Sequence, residues 1–262
     1  MKIKESSLSS FEIIEDLLSI VLFGSKARED EDDFSDVDIF LLVEDIPQDR
    51  ISEIIDIIKT RLPYNNIGIS LYTLSSYKQL LREGSIFIWH LKLEGLIIYN
   101  KTNMDLFNKL APFNKFNENY LLYKKLFINT KSSLQENGIN EYDLSHLFFL
   151  CRNICLLTCF KLKNPTFGRM SVYEKLVEMV GFLPLSQENY IFLSKWRLNF
   201  TRASCFKLDF PTESKMLKIL NDIEDLLSIC KEIIENGVKF NEKIKEFEDV
   251  PKKFKRKQSY SI

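Results

Sequence analysis

The 262-residue chain balances 36 basic against 37 acidic residues, a formal charge of −1, and is 45% hydrophobic and 28% charged. That length holds two small or medium domains with real cores, and eight glycines with seven prolines exclude a collagen-like or linker-dominated chain. The balanced charge supplies no electrostatic drive for wrapping nucleic acid and leaves only a local basic site open.

In chain order, Phe11 to Leu18 has the apolar spacing of a short helix, with Ser9 or Ser10 as its cap. Ser19 to Phe23 is then a short strand that stops at Gly24, and Val37 to Val43 is a second strand, apolar apart from Asp38. Ile51, Ile54, Ile55 and Ile58 make one face of a helix over 49–61, which Pro63 and Asn65-Asn66 break. Ile67 to Tyr72 resumes as a strand. Leu74 to Glu83 follows as a helix, and Phe87 to Tyr99 as a helix, a turn at Gly95 and an edge strand. The expectation is an α+β domain with a mixed sheet over residues 1–105.

From there the periodicity is helical, near 117–136, 142–161, 171–180, 187–206 and 212–236. Leu144, Leu147, Phe148, Cys151, Ile154, Cys155 and Cys159 form one continuous stripe. Such faces need partners, so residues 106–240 read as an all-helical bundle, with stripes that could extend into a homo-oligomer or a partner protein. Residues 241–262 form a charged tail containing Lys252-Lys253-Phe254-Lys255-Arg256-Lys257. Five cysteines, Cys205 and Cys230 among them, are an odd number with no zinc-like spacing to His90 or His146. They read as free thiols in a reducing compartment. The start turns acidic too early for a signal peptide, and no run approaches the ~20 apolar residues of a membrane span. A cytoplasmic protein without a membrane is expected.

The chemistry concentrates where Leu22-Phe23-Gly24-Ser25 is followed, after an acidic loop, by Ser35-Asp36-Val37-Asp38-Ile39. On a strand, Asp36 and Asp38 share a face, and two adjacent carboxylates repel unless a cation or proton joins them. Mg²⁺ takes hard oxygen ligands and shares its coordination with phosphate. Gly24 permits a tight turn, Ser25 offers a hydroxyl and an N–H to an anion, and Lys26 or Arg28 can neutralise phosphate charge. The set suits ATP or another NTP held over magnesium. A polar turn beside a strand with one exposed face is the plainer alternative.

Gly24-Ser25-Lys26-Ala27-Arg28 followed by Ser35-Asp36-Val37-Asp38 resembles the signature of the polymerase-beta-type nucleotidyltransferase superfamily, especially its minimal domains. The resemblance implies that Gly24 and Ser25 hold the phosphates and that Asp36 and Asp38 are catalytic magnesium ligands. It also implies direct nucleotidyl transfer to an RNA, protein or small-molecule acceptor, in settings that include toxin–antitoxin and antiphage modules. Two positions depart from the pattern. Ser70 stands where active relatives carry a third acid, although Glu44, Asp45, Glu83 or Glu94 could approach from elsewhere, and Glu29 replaces the glycine after the signature arginine. A nucleotide-binding sensor or scaffold with impaired catalysis is therefore the alternative, as is an aminoglycoside-type nucleotidyltransferase. The helical half weakly resembles HEPN or substrate-domain bundles, but Arg152 lacks the spaced histidine of the HEPN ribonuclease signature, and a salt-bridge or rim role is expected for it.

Overall fold

The structure, a computed structural model, describes residues 11–31, 35–64, 66–101, 105–202 and 206–237. The chain divides into two units, Met1–Lys115 and Phe116–Ile262. The Ser9 or Ser10 cap, Cys205 and the tail 241–262 with its basic run fall outside the described residues.

In the first unit, strands β1 (Leu17–Phe23), β2 (Val37–Val43), β3 (Ile67–Thr73) and β4 (Leu96–Asn100) form one sheet of order β3-β2-β1-β4. β1 pairs antiparallel with β2 and β4, and β2 pairs parallel with β3, so the sheet is mixed as the sequence predicts. A parallel pair needs a crossover, and α2 (Gln48–Arg61) supplies it. Alternation along β2 sends Ile39, Leu41 and Val43 to one face, against Ile54 and Ile58 of α2. Phe40 and Leu42 go to the other, against Tyr77 and Leu81 of α3 (Leu74–Arg82) and Ile88 and Leu91 of α4 (Ile86–Glu94). Covered on both faces, the two inner strands are almost entirely buried, which is why they read as unbroken apolar runs. Leu106 completes the second cluster, and its carbonyl accepts a hydrogen bond from the Tyr77 hydroxyl.

The expected helix over Phe11–Leu18 does not form. Residues 11–13 and 15–16 are turns, held by Ile14 N–H to Phe11 C=O and Leu17 N–H to Ile14 C=O, and β1 begins two residues earlier than expected, at Leu17. Phe11, Ile14, Leu17 and Leu18 imitate helical spacing, but Leu17 and Leu18 are packed into opposite faces of the sheet. A register irregularity between Leu17 and Ser19 shifts the alternation, so that Leu17 shares a face with Ile20 and Leu22, and the buried Ser19 hydroxyl donates to Tyr99 C=O at 2.8 Å.

The second unit is an all-helical bundle of α5 (Phe116–Asn137), α6 (Glu141–Lys161), α7 (Ser171–Val180), α8 (Gln187–Arg202) and α9 (Glu213–Asn236). α6 is its axis and packs against all four others. Asn140 caps it by accepting from Asp143 N–H at 2.9 Å. It is the one described helix long and apolar enough to cross a membrane, yet 72% of that apolar window is buried inside the bundle, as a central core helix requires. Cys151, Cys155, Cys159 and Cys230 are buried free thiols, and burial pushes Cys159 and Cys230 up to about 12, so they pack as small hydrophobes. α8 ends at Arg202, short of the expected 206. Phe206 lies outside the helix, and the Asn199 side chain accepts from its N–H at 3.1 Å and donates to its C=O at 2.9 Å. Arg152 ties α6 to the following loop by donating to Phe167 C=O at 2.5 Å.

Candidate functional site

Phe23 ends β1 opposite Asp38 of β2, so the turn that follows leaves the sheet beside that carboxylate. Gly24 has φ +74° and ψ −155°, a region open essentially only to glycine. A methyl group added there would collide with Oδ2 of Asp38. Glycine is thus required twice, for its backbone angle and for the close approach of a carboxylate. On the other side of Asp38 the parallel register places Gly68, where an added methyl would lie 3.4 Å from Oδ1. The Asp38 carboxylate therefore lies in a slot between two glycines, half-buried and on the same sheet face as Phe40. Sequence reading missed Gly68, although its spacing from Ser70 on a predicted strand would have placed both on one face.

Asp36 and Ser35, also half-buried, stand just ahead of the β2 ladder, and Val37 N–H donates to Asn66 C=O at the head of β3. Asp38 lies within the strand and Asp36 just before it, so the strand's alternation does not itself put the two on one face as expected. After Gly24, residues Ser25–Arg28 make a single helical turn, α1, in which Arg28 N–H donates to Gly24 C=O at 3.2 Å. Glu29 ends this turn at φ +60° and ψ +30°, with its N–H on Ser25 C=O. That left-handed conformation favours glycine, the residue that the resemblance led one to expect here.

The two basic residues of the motif are already engaged. Lys26 pairs with Glu31, and Arg28 donates through Nε to Asp30 at 3.1 Å and through Nη1 to Glu94 at 2.8 Å. Burial alone would lower the Arg28 pKa, but the hydrogen bonds to Asp30 and Glu94 reverse this and raise it. Burial likewise acts to raise Glu94, and His90 and Arg28 outweigh it and hold that carboxyl below its ordinary range. His90, one helical turn before Glu94, brings Nε2 to 3.3 Å from it and packs edge-on to Phe23 with ring centroids 5.4 Å apart. His90 is thus packed beside the motif, between Phe23 and Glu94. The i, i+4 spacing of His90 and Glu94 on a predicted helix was the available signal for this trio.

The other carboxylates considered as a third acid are placed elsewhere. Asp45 follows the far end of β2, where Oδ1 accepts from Ser75 N–H at 3.0 Å and Ser75 Oγ at 2.6 Å at the start of α3. Glu83 holds Gln79 at 2.8 Å and Lys115 at 3.0 Å, and Glu44 is exposed. Ser70 pairs with Phe40 in the β2–β3 ladder, two residues along from Gly68 and on the Asp38 face. Both β3 positions nearest the aspartate on that face are thus uncharged.

Residues 2–85 match the family model of the nucleotidyltransferase domain. The first unit carries a nucleotidyltransferase-like domain, followed by the helical bundle. The match ends within α3–α4 and leaves the bundle unassigned. No curated protein matches the chain by sequence. Among solved structures, the chain is similar to the spectinomycin adenyltransferase AAD(9) from Enterococcus faecialis, solved with ATP and spectinomycin. The identity is 12%, with 85% of this chain and 97% of that one covered and a TM-score of 0.47. A nucleotidyltransferase-like protein from Exiguobacterium sibiricum is 14% identical, over 93% of this chain and 78% of that one, with a TM-score of 0.38. Both likenesses are distant.

A metal ion would find carboxylates at Asp36 and Asp38 and a hydroxyl at Ser25, all hard oxygen donors. Among the described residues no group of three or more His, Cys, Asp or Glu gathers to hold an ion. Mg²⁺, which is commonly bound by one or two carboxylates together with substrate phosphate and water, is the ion that such oxygen donors would suit.

Proposed function

We propose that this chain is a nucleotide-binding protein in which an NTP with Mg²⁺ is held at Gly24, Ser25, Asp36 and Asp38, and nucleotidyl transfer is slow or lost. One observation carries the reading. The Asp38 carboxylate lies between Gly24 and Gly68, which supports a ligand-binding role for it, while β3 offers only Gly68 and Ser70 beside it. A serine hydroxyl is a poor general base at neutral pH, so an acceptor hydroxyl would lack its activating contact. Of the four carboxylates considered as a third acid, Glu94 meets the motif through Arg28, and it also lies against His90.

In this reading Ser25 N–H and Oγ bind phosphate oxygens, and Gly24 lets them approach the backbone closely. Asp36 and Asp38 hold the ion, which supplies positive charge against the phosphates. Arg28, fixed by Glu94, sets positive charge beside the turn while its carboxylate partners keep the net local charge low. Such a domain reports nucleotide occupancy and suits a sensor or scaffold. A full magnesium-dependent transferase acting on an RNA, protein or small-molecule acceptor is the second reading, and the retained Asp36 and Asp38 favour it.

Incubating the full chain with α-labelled NTPs, total RNA and cellular protein separates the two. Under the proposal, label transfer is absent or barely above that of the D36A/D38A variant, although nucleotide binds. Rapid, aspartate-dependent labelling of any acceptor would overturn it in favour of the transferase.

A further inference from the structure

We propose that one face of the second unit, formed by α6 and α8, binds single-stranded nucleic acid, stacking bases on Tyr142, His146, Phe149 and Phe200 and taking a phosphate at Arg197. The site is independent of the function proposed for the first unit and of whether that unit transfers nucleotide.

Tyr142, His146 and Phe149 recur at i, i+4 and i+7 and so share one side of α6. The rest of that helix is the most deeply buried in the bundle, yet Tyr142 is 50% exposed, Phe149 37% and, on α8, Phe200 46%. The rings form a connected surface. Tyr142 and His146 lie 4.4 Å apart between centroids, Tyr142 and Phe200 meet edge to face at 5.6 Å, and His146 and Phe149 lie 6.4 Å apart. Rings already in contact give up little freedom when a planar ligand stacks on them.

Arg197 supplies the charge. Its guanidinium stands 5.6 Å from the centre of the Phe149 ring, and Nη1 donates to the buried Ser145 hydroxyl at 3.1 Å. Among the described residues no carboxylate pairs with it, in contrast to Arg28 and Arg50, each of which holds two. Burial pulls its pKa below the ordinary arginine value with no acid to offset the loss of water. The group nonetheless stays charged at neutral pH. A half-buried, anchored cation lacking an anion, beside exposed ring faces, matches a ligand that presents planar rings and phosphate together. A single strand does so at every nucleotide, whereas a duplex hides its base faces. The chain's net charge of −1 gives no long-range steering, so the affinity expected is micromolar.

Fluorescence anisotropy of short labelled RNA and DNA strands with the full chain tests this, with a duplex and an acidic, aromatic peptide as competitors. Saturable binding of the single strands is expected, with a log–log salt slope of about −0.7 for one phosphate contact. The Y142A/F200A variant should bind about tenfold more weakly with an unchanged melting temperature, since both rings are exposed. R197M should weaken binding and flatten the salt slope, and R197K should restore the slope without the full affinity, because lysine keeps the charge and loses the planar stack. A preference between RNA and DNA supports the proposal and names the strand. No saturable binding, equal binding by wild type and Y142A/F200A, or tighter binding of peptide or duplex than of single strand would overturn it.

Discussion

Asp38 and Asp143 are carboxylates set into the two units in opposite ways. Asp143, 1% exposed, is enclosed by donors of its own chain: Ser133 Oγ at 2.8 Å, Asn140 Nδ2 at 2.6 Å, and its position in the first turn of α6. Such a group is part of the scaffold, because each donor would be left unsatisfied without it. Asp38 is set in a narrow place. Two glycines flank it, one of them in a conformation no other residue adopts comfortably, and it stays half-buried at the end of an otherwise sealed strand.

That contrast can be broken most forcefully at Gly24. Gly24→Ala forces a Cβ against Oδ2 of Asp38 at a positive φ, and the expected cost is about 3 kcal/mol together with loss of NTP binding. Gly68→Ala, facing the same carboxylate at 3.4 Å, should cost less than about 1 kcal/mol. Chemical denaturation of both variants checks the difference, and equal effects would mean the slot has no bearing on the site. Next in size, Asp143→Ala should cost about 2 kcal/mol by stranding Ser133 and Asn140, and should leave NTP affinity unchanged. Asp38→Ala should do the reverse, with little change in stability and a loss of nucleotide. The smallest effect is a gain. Glu29→Gly relieves the left-handed residue that ends α1 and should stabilise the chain by about 0.5 kcal/mol, read as a small rise in melting temperature.

Much of this arrangement was legible in the sequence, and the failures have physical causes. β1 and β2 declared themselves because buried inner strands are continuous apolar runs, and Gly24-Ser25 with Asp36 and Asp38 marked the connection between them. The early end of β1 was misread because Phe11, Ile14, Leu17 and Leu18 satisfy helical spacing locally, and only the sheet decides that Leu17 and Leu18 face opposite ways. The end of α8 was invisible for a similar reason, since Asn199 reaches seven residues ahead to Phe206, a bond that no local propensity encodes. Ser70 could be read as a missing acid, but the partners of Glu94 and the glycine at position 68 beside Asp38 required the register between strands.

The central claim is that Asp36 and Asp38 bind nucleotide through a metal. Calorimetric titration of ATP into wild type and the D36A/D38A variant, each with and without Mg²⁺, tests it most directly. The account predicts that magnesium tightens ATP binding to wild type by at least about tenfold, a difference of roughly 1.4 kcal/mol, and has no effect on the variant. Equal affinities in all four titrations would contradict it.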